Sequence, residues 1–133
     1  MRQETLDRLL LAKSYLDRTR FQQVNAAAAT SVADHVLAAH DAAELGIAAI
    51  CHELDCLPNK KEFSSYFDEL AKTTGNAVKY RGYMMTLNNV RVALKHFGVR
   101  PDSKQWANVS QTTYEYIADW CTDYLQVNYD ELD

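Results

Sequence analysis

Residues 87–98 read LNNVRVALKHFG. They close a helical pattern in which Tyr80, Tyr83, Leu87, Val90, Leu94 and Phe97 recur at alternating three- and four-residue spacing. That spacing predicts an amphipathic helix with one apolar stripe. Gly98 stands where a helix commonly ends in a left-handed residue, and Pro101 follows in the region past the end. His96 therefore falls in the last turn, where the helix dipole favours a cation. At about 100° per residue, Arg91 lies on the border of the stripe, roughly 60° from its centre, and His96 is about 140° round from Arg91. Asn88 precedes Arg91 by three residues and Lys95 follows it by one turn, so both share its side.

An Arg and a His at a helix end suit phosphoryl transfer in RNA. A His takes the proton of a 2′-hydroxyl, or gives one to the leaving 5′-oxygen, because its ordinary pKa of about 6.5 lies near working pH. An Arg holds the phosphate and stabilises the charge that builds on it. With the 2′-oxygen as nucleophile the reaction needs no metal and leaves a cyclic phosphate. The divergence of the two side chains on one helix requires a distorted helix end or a second copy of the helix.

Arg91-x-x-x-x-His96, within NNVRVALKHFG, resembles the motif of the HEPN superfamily, small helical bundles that include metal-independent ribonucleases. The resemblance implies an antiparallel four- to five-helix bundle in which Arg91 and His96 are catalytic. Asn88 and Lys95 would position the site or bind the substrate backbone. It implies a homodimer whose two Arg/His pairs meet at the interface, RNA (tRNA among the candidates) as substrate, no cofactor, and a toxin or antiviral-defence setting. An antitoxin or a larger defence protein would then be a further partner. The stretch AAELGIAAI around Glu44 resembles the small-residue and Glu segment of many HEPN second helices, which implies a supporting salt bridge from Glu44 to Arg91. Two positions depart from the pattern: Val92 where active members often carry a polar residue, and Gly98 where toxin members often carry Tyr. The alternative is a catalytically inactive HEPN-like module for dimerisation or for binding a ligand or partner.

Working outward, every apolar pattern is helical. Residues 2–20 place Leu6, Leu9, Leu10 and Leu16 on one side, within an N-terminal helix expected over 1–22. Residues 21–31, FQQVNAAAATS, read as a connection or a continuation. Residues 30–56 carry Val32, Val36, Ala39, Ala43, Ile47, Ile50 and Leu54 in register, with Thr30 or Ser31 as cap and Leu57-Pro58-Asn59 as the break. A shorter helix over 61–73 buries Phe63, Tyr66, Phe67 and Leu70. A last helix, capped by Asp102 or Ser103, runs a stripe from Trp106 to Tyr124 and fades near Val127, leaving 127–133 as a frayed tail. No strand alternation, repeat or low-complexity linker interrupts this. The reading is one all-α domain over 1–133.

A chain of 133 residues with 47% hydrophobic residues builds a real core without staples. Its three cysteines, Cys51, Cys56 and Cys121, have no CxxC spacing and read as reduced thiols of a cytoplasmic protein. No signal peptide is visible and no apolar run approaches the ~20 residues of a membrane span. Net charge is −4, yet residues 76–106 hold six basic residues against Asp102 alone, a local +5. A basic strip on an acidic body engages phosphates or simply faces solvent. Four glycines form no phosphate-cradling loop.

His40 and Glu44 are one turn apart, as are His52 and Cys56. A metal site would need the two pairs to converge, which nothing in the sequence shows, so no metal is expected and His40 with Glu44 reads as a hydrogen-bonded pair at the core's edge. His35 and His40, five apart, share no face. The aromatic stripes read as core, with Tyr80 and Tyr83 beside Arg81 as the exceptions able to stack on RNA bases.

Overall fold

The computed structural model describes residues 1–24 and 31–133, and among these it is all helical. Five α-helices follow in order: α1 (Gln3–Asp17), α2 (Ser31–Glu53), α3 (Phe63–Thr74), α4 (Arg81–Phe97) and α5 (Val109–Trp120). A π-helical turn (Cys121–Leu125) and a 3-10 turn (Tyr129–Glu131) complete the chain. Residue Thr30, one expected cap of α2, and most of the Ala-rich stretch lie outside the described residues.

The second helix is the axis of the bundle, packed against each of the other four. Its sequence explains this. Val36, Ala39, Ala42, Ala43, Ile47, Ala49, Ile50 and Cys51 are all fully buried, and a helix apolar around most of its circumference belongs at the centre of a core. The small residues let neighbours approach closely. A Cβ built at Gly46 would stand 3.3 Å from two side-chain carbons of Ile117, so α2 and α5 cross where only glycine fits without displacement.

The start of α1 is clamped to the end of α2, which makes the pair antiparallel. Arg2 donates to the His52 carbonyl (2.6 Å) and to the Asp55 carboxylate (2.8 Å), and both its backbone N–H and the Thr5 hydroxyl donate to Glu53 (2.9 Å each). The α2 end itself closes with Asp55 at φ 56° and the Cys56 N–H bonded to the Cys51 carbonyl at 2.8 Å. This is the paired-bond termination that satisfies the last carbonyls of a helix. Fourth in the chain, α4 ends at Gly98 in the left-handed region (φ 66°).

The structure departs from the sequence reading in four places. The N-terminal helix stops at Asp17 rather than near residue 22, and turns carry the chain onward. The last helix starts at Val109, because Asp102 spends its carboxylate on the backbone N–H groups of Lys104 and Gln105 and closes a separate turn. Phe97 is 77% exposed, off the expected stripe. The fully buried residues of α4 are Met84 and Leu87, and Phe97 lies about 140° round the helix from Met84. Finally, 127–133 is anchored rather than frayed. Tyr129 is buried and donates to the Leu9 carbonyl at 3.2 Å, Lys13 donates to the carbonyls of Tyr129, Asp130 and Leu132, and Tyr114 donates to Asp130. One large aromatic and one lysine thus hold a short polar tail.

Two substitutions test this packing. Gly46→Leu should cost about 2 kcal/mol or more in urea unfolding, and pairing it with Ile117→Ala should recover part of the loss, since the two sites share one contact. Tyr129→Phe should cost about 1 kcal/mol, the value of one buried hydrogen bond, while deleting 127–133 should cost several times that.

Candidate functional site

The inner face of α4 carries polar residues where a core helix would carry apolar ones. In helical projection Arg91 falls between Met84 and Leu87, the two fully buried residues of α4, within about 40° of each. Arg91 itself is half-buried, so the inner part of its side chain lies against the packed face. Its Nε is buried and has no hydrogen-bond partner among the described residues. Asn88 shares this side. Its side-chain oxygen lies 2.9 Å from His40 Nε2 on α2. With the amide oxygen facing the ring, the imidazole is the donor, and Nδ1 is left as a lone-pair acceptor that is buried and without a partner.

His40 is 1% exposed and tilts against Phe63 of α3 at 4.7 Å between ring centroids. Burial, then the positive charge of Arg91, push its pKa down to about 4; the Asn88 hydrogen bond and Asp41 oppose this, and Lys95 adds the smallest lowering effect. At neutral pH the ring is uncharged. The charges of Arg91 and, more weakly, Lys95 oppose protonation of His40. His40, Asn88 and Arg91 thus lie at the α2–α4 interface, with exposed Lys95 at its edge.

Two of the expected site residues lie outside it. His96 is exposed, makes no hydrogen bond among the described residues, and has its ring edge-on to Phe97. Glu44 is exposed and forms no ion pair with Arg91; its charge acts instead on Tyr66 of α3. The salt bridge implied for Glu44 is therefore not made, because the place beside Arg91 on α2 is taken by His40 one turn earlier. Nor does His40 pair with Glu44, or His52 with Cys56: His52 bonds Glu4 of α1 at 3.0 Å. Among the described residues no three His, Cys, Asp or Glu side chains come together as a metal would need.

The role of His40 was half legible. A histidine inside the apolar register of a core helix must find a polar partner, but that partner stands 48 residues away and no spacing reveals it. The tyrosines expected to face RNA are engaged with protein. Tyr80, held at φ 69°, stacks on Tyr116 at 3.6 Å and donates to Asp119, and Tyr83 packs edge-on against Tyr116. The three cysteines are buried, and burial pushes the thiols of Cys51 and Cys121 upward, Cys121 to about 12. They are unreactive core thiols.

Comparison with known protein families, with curated proteins and with solved structures gives no match.

The depressed His40 pKa has a sign. The group is neutral when folded and titrates near 6.5 when unfolded, so its contribution to stability is complete above pH 6.5 and is lost as pH falls toward 4. The loss should reach about 3 kcal/mol by pH 4. His40→Gln, which has no proton to gain, should flatten that part of the pH profile in denaturation measured from pH 7.5 to 4; an unchanged profile would refute the assignment.

Proposed function

We propose that the chain is a metal-independent endoribonuclease of the HEPN type, working in the cytoplasm as a homodimer. What supports this most is the unusual placement of Arg91: a guanidinium with a buried, unpartnered Nε beside Lys95 and the Asn88 amide, in the basic strip of an acidic protein. A buried donor without an acceptor is costly, and an incoming phosphate oxygen would offset that cost.

In this reading Arg91 grips the scissile phosphate, with Lys95 and Asn88 along the backbone. His96 takes the proton from the 2′-hydroxyl, the 2′-oxygen attacks phosphorus, and the bond to the 5′-oxygen breaks. A second histidine, from the other copy, gives that oxygen its proton. The exposed position of His96, next to exposed Phe97 and Val99, supports a site completed by a second chain: the two side chains diverge on one helix but two copies of α4 can supply both. Toxin or antiviral defence is the setting this activity suits, with an antitoxin or larger defence protein as regulator. No described helix is long and apolar enough to cross a membrane.

The second reading is an inactive binding module built on the same bundle. Val92 following Arg91, and a His96 that no neighbour orients, favour it.

Incubation of the protein with total tRNA and an unstructured RNA in EDTA decides between them. The expected result is cleavage leaving 2′,3′-cyclic ends, reduced by about 100-fold or more in Arg91→Ala and His96→Ala. Inert wild-type protein, or variants that cut equally well, would give the binding module the lead.

A further inference from the structure

The inner face of α4 holds an arrangement that the Arg/His motif does not use. The Asn88 amide oxygen is occupied by His40, and its NH2 group donates to nothing in the described chain. Arg91 Nε is likewise a donor without an acceptor. Asn88 and Lys95 lie about 20° apart in projection, with Arg91 about 40° beyond. The site has three donor groups, two of them cationic. The acid whose charge acts on His40 is the exposed Asp41.

Why histidine stands at position 40 follows from this. The ring is immobilised by burial and by Phe63. It offers a fixed N–H to Asn88 without adding a charge. An amide gripped by its oxygen has only one direction left for its NH2. We propose that His40 is a positioning residue: by holding Asn88 Oδ1 it aims the Asn88 NH2, together with the Arg91 guanidinium and Lys95, as one donor set for a phosphoryl oxyanion. This rests on reading Arg91 as a phosphate-binding residue and extends it to a part of the chain outside the motif. A tetrahedral phosphoryl group, with several acceptor oxygens, matches three donors better than a planar carboxylate does. Free phosphate and a backbone phosphodiester share that chemistry.

The test is side-chain NMR on the full chain, following the Asn88 NH2 and Arg91 Nε–H signals. The probes are inorganic phosphate, an all-deoxy oligonucleotide that cannot be cleaved through a 2′-oxygen, and acetate as control. In the wild type, phosphate or the oligonucleotide should shift both signals saturably; which of the two binds more tightly identifies the source. His40→Gln, whose amide N–H stands close to the position of Nε2, should bind within about twofold, and His40→Ala about tenfold more weakly, the worth of one hydrogen bond to a charged-site donor. Helical circular dichroism verifies that each variant is folded, and His40→Asn, too short to reach Asn88, replaces the alanine variant if that one is not. Equal binding by the alanine or asparagine variant, absence of saturable shifts with both phosphoryl probes, or an equal response to acetate would overturn the proposal. None of these readouts needs turnover, so binding without RNA cleavage would sink the nuclease reading and leave this one standing.

Discussion

The rest of the structure depends on the enclosure of α2. A helix with small and apolar residues around most of its surface, touching all four other helices, leaves only a narrow edge, carrying Asp34, Asp41 and Glu44, on which a polar group reaches water. Closeness is part of the constraint: at Gly46 the α2 backbone comes near enough to Ile117 that a methyl group would crowd it. Chain connections, caps and tail all serve to cover this helix. Arg2, Glu53 and Asp55 close its end against α1, and Tyr129 with Lys13 seals the far side of α1.

The candidate site is a consequence of that enclosure. His40 occupies a core position of α2, so it must be neutral and must be hydrogen-bonded. Asn88 supplies the bond from α4, and this draws the polar side of α4 inward. Arg91 follows because it lies on the same side of that helix. The bundle thus holds a cation near an α2 residue, His40, that is an uncharged ring rather than a carboxylate. A Glu in that place would neutralise Arg91; a neutral imidazole leaves its charge uncompensated for a ligand.

Much of the helical layout was legible in the chain. The stripe 87–98, the Gly98 stop, the break at Leu57-Pro58-Asn59 and the core positions of α2 and α3 all follow from local periodicity and local terminators, which act over a few residues. The misreadings share one cause. Phe97 belongs to a periodic stripe, yet no other helix extends to cover it. Tyr129 belongs to a short polar tail, yet a groove beside Leu9 receives it. Asp102 has the chemistry of a helix cap and uses it on a turn, seven residues before the helix begins. Periodicity says which residues share a face; it does not say what that face meets.

By itself the sequence determined an all-helical chain, the approximate course of its helices, the segregation of basic residues into 76–106, and the presence of Arg91 and His96 on different sides of one helix. Each is a property of neighbours in the chain. Only the tertiary structure decided that Arg91 is half-buried with its Nε covered while His96 stays exposed, and that His40 is the partner of Asn88. The reason is geometric. Those relations join residues almost fifty positions apart, and they are set by the rotation of α4 against α2, which depends on the volumes of Met84, Leu87, Phe63 and the alanines between them rather than on any local pattern.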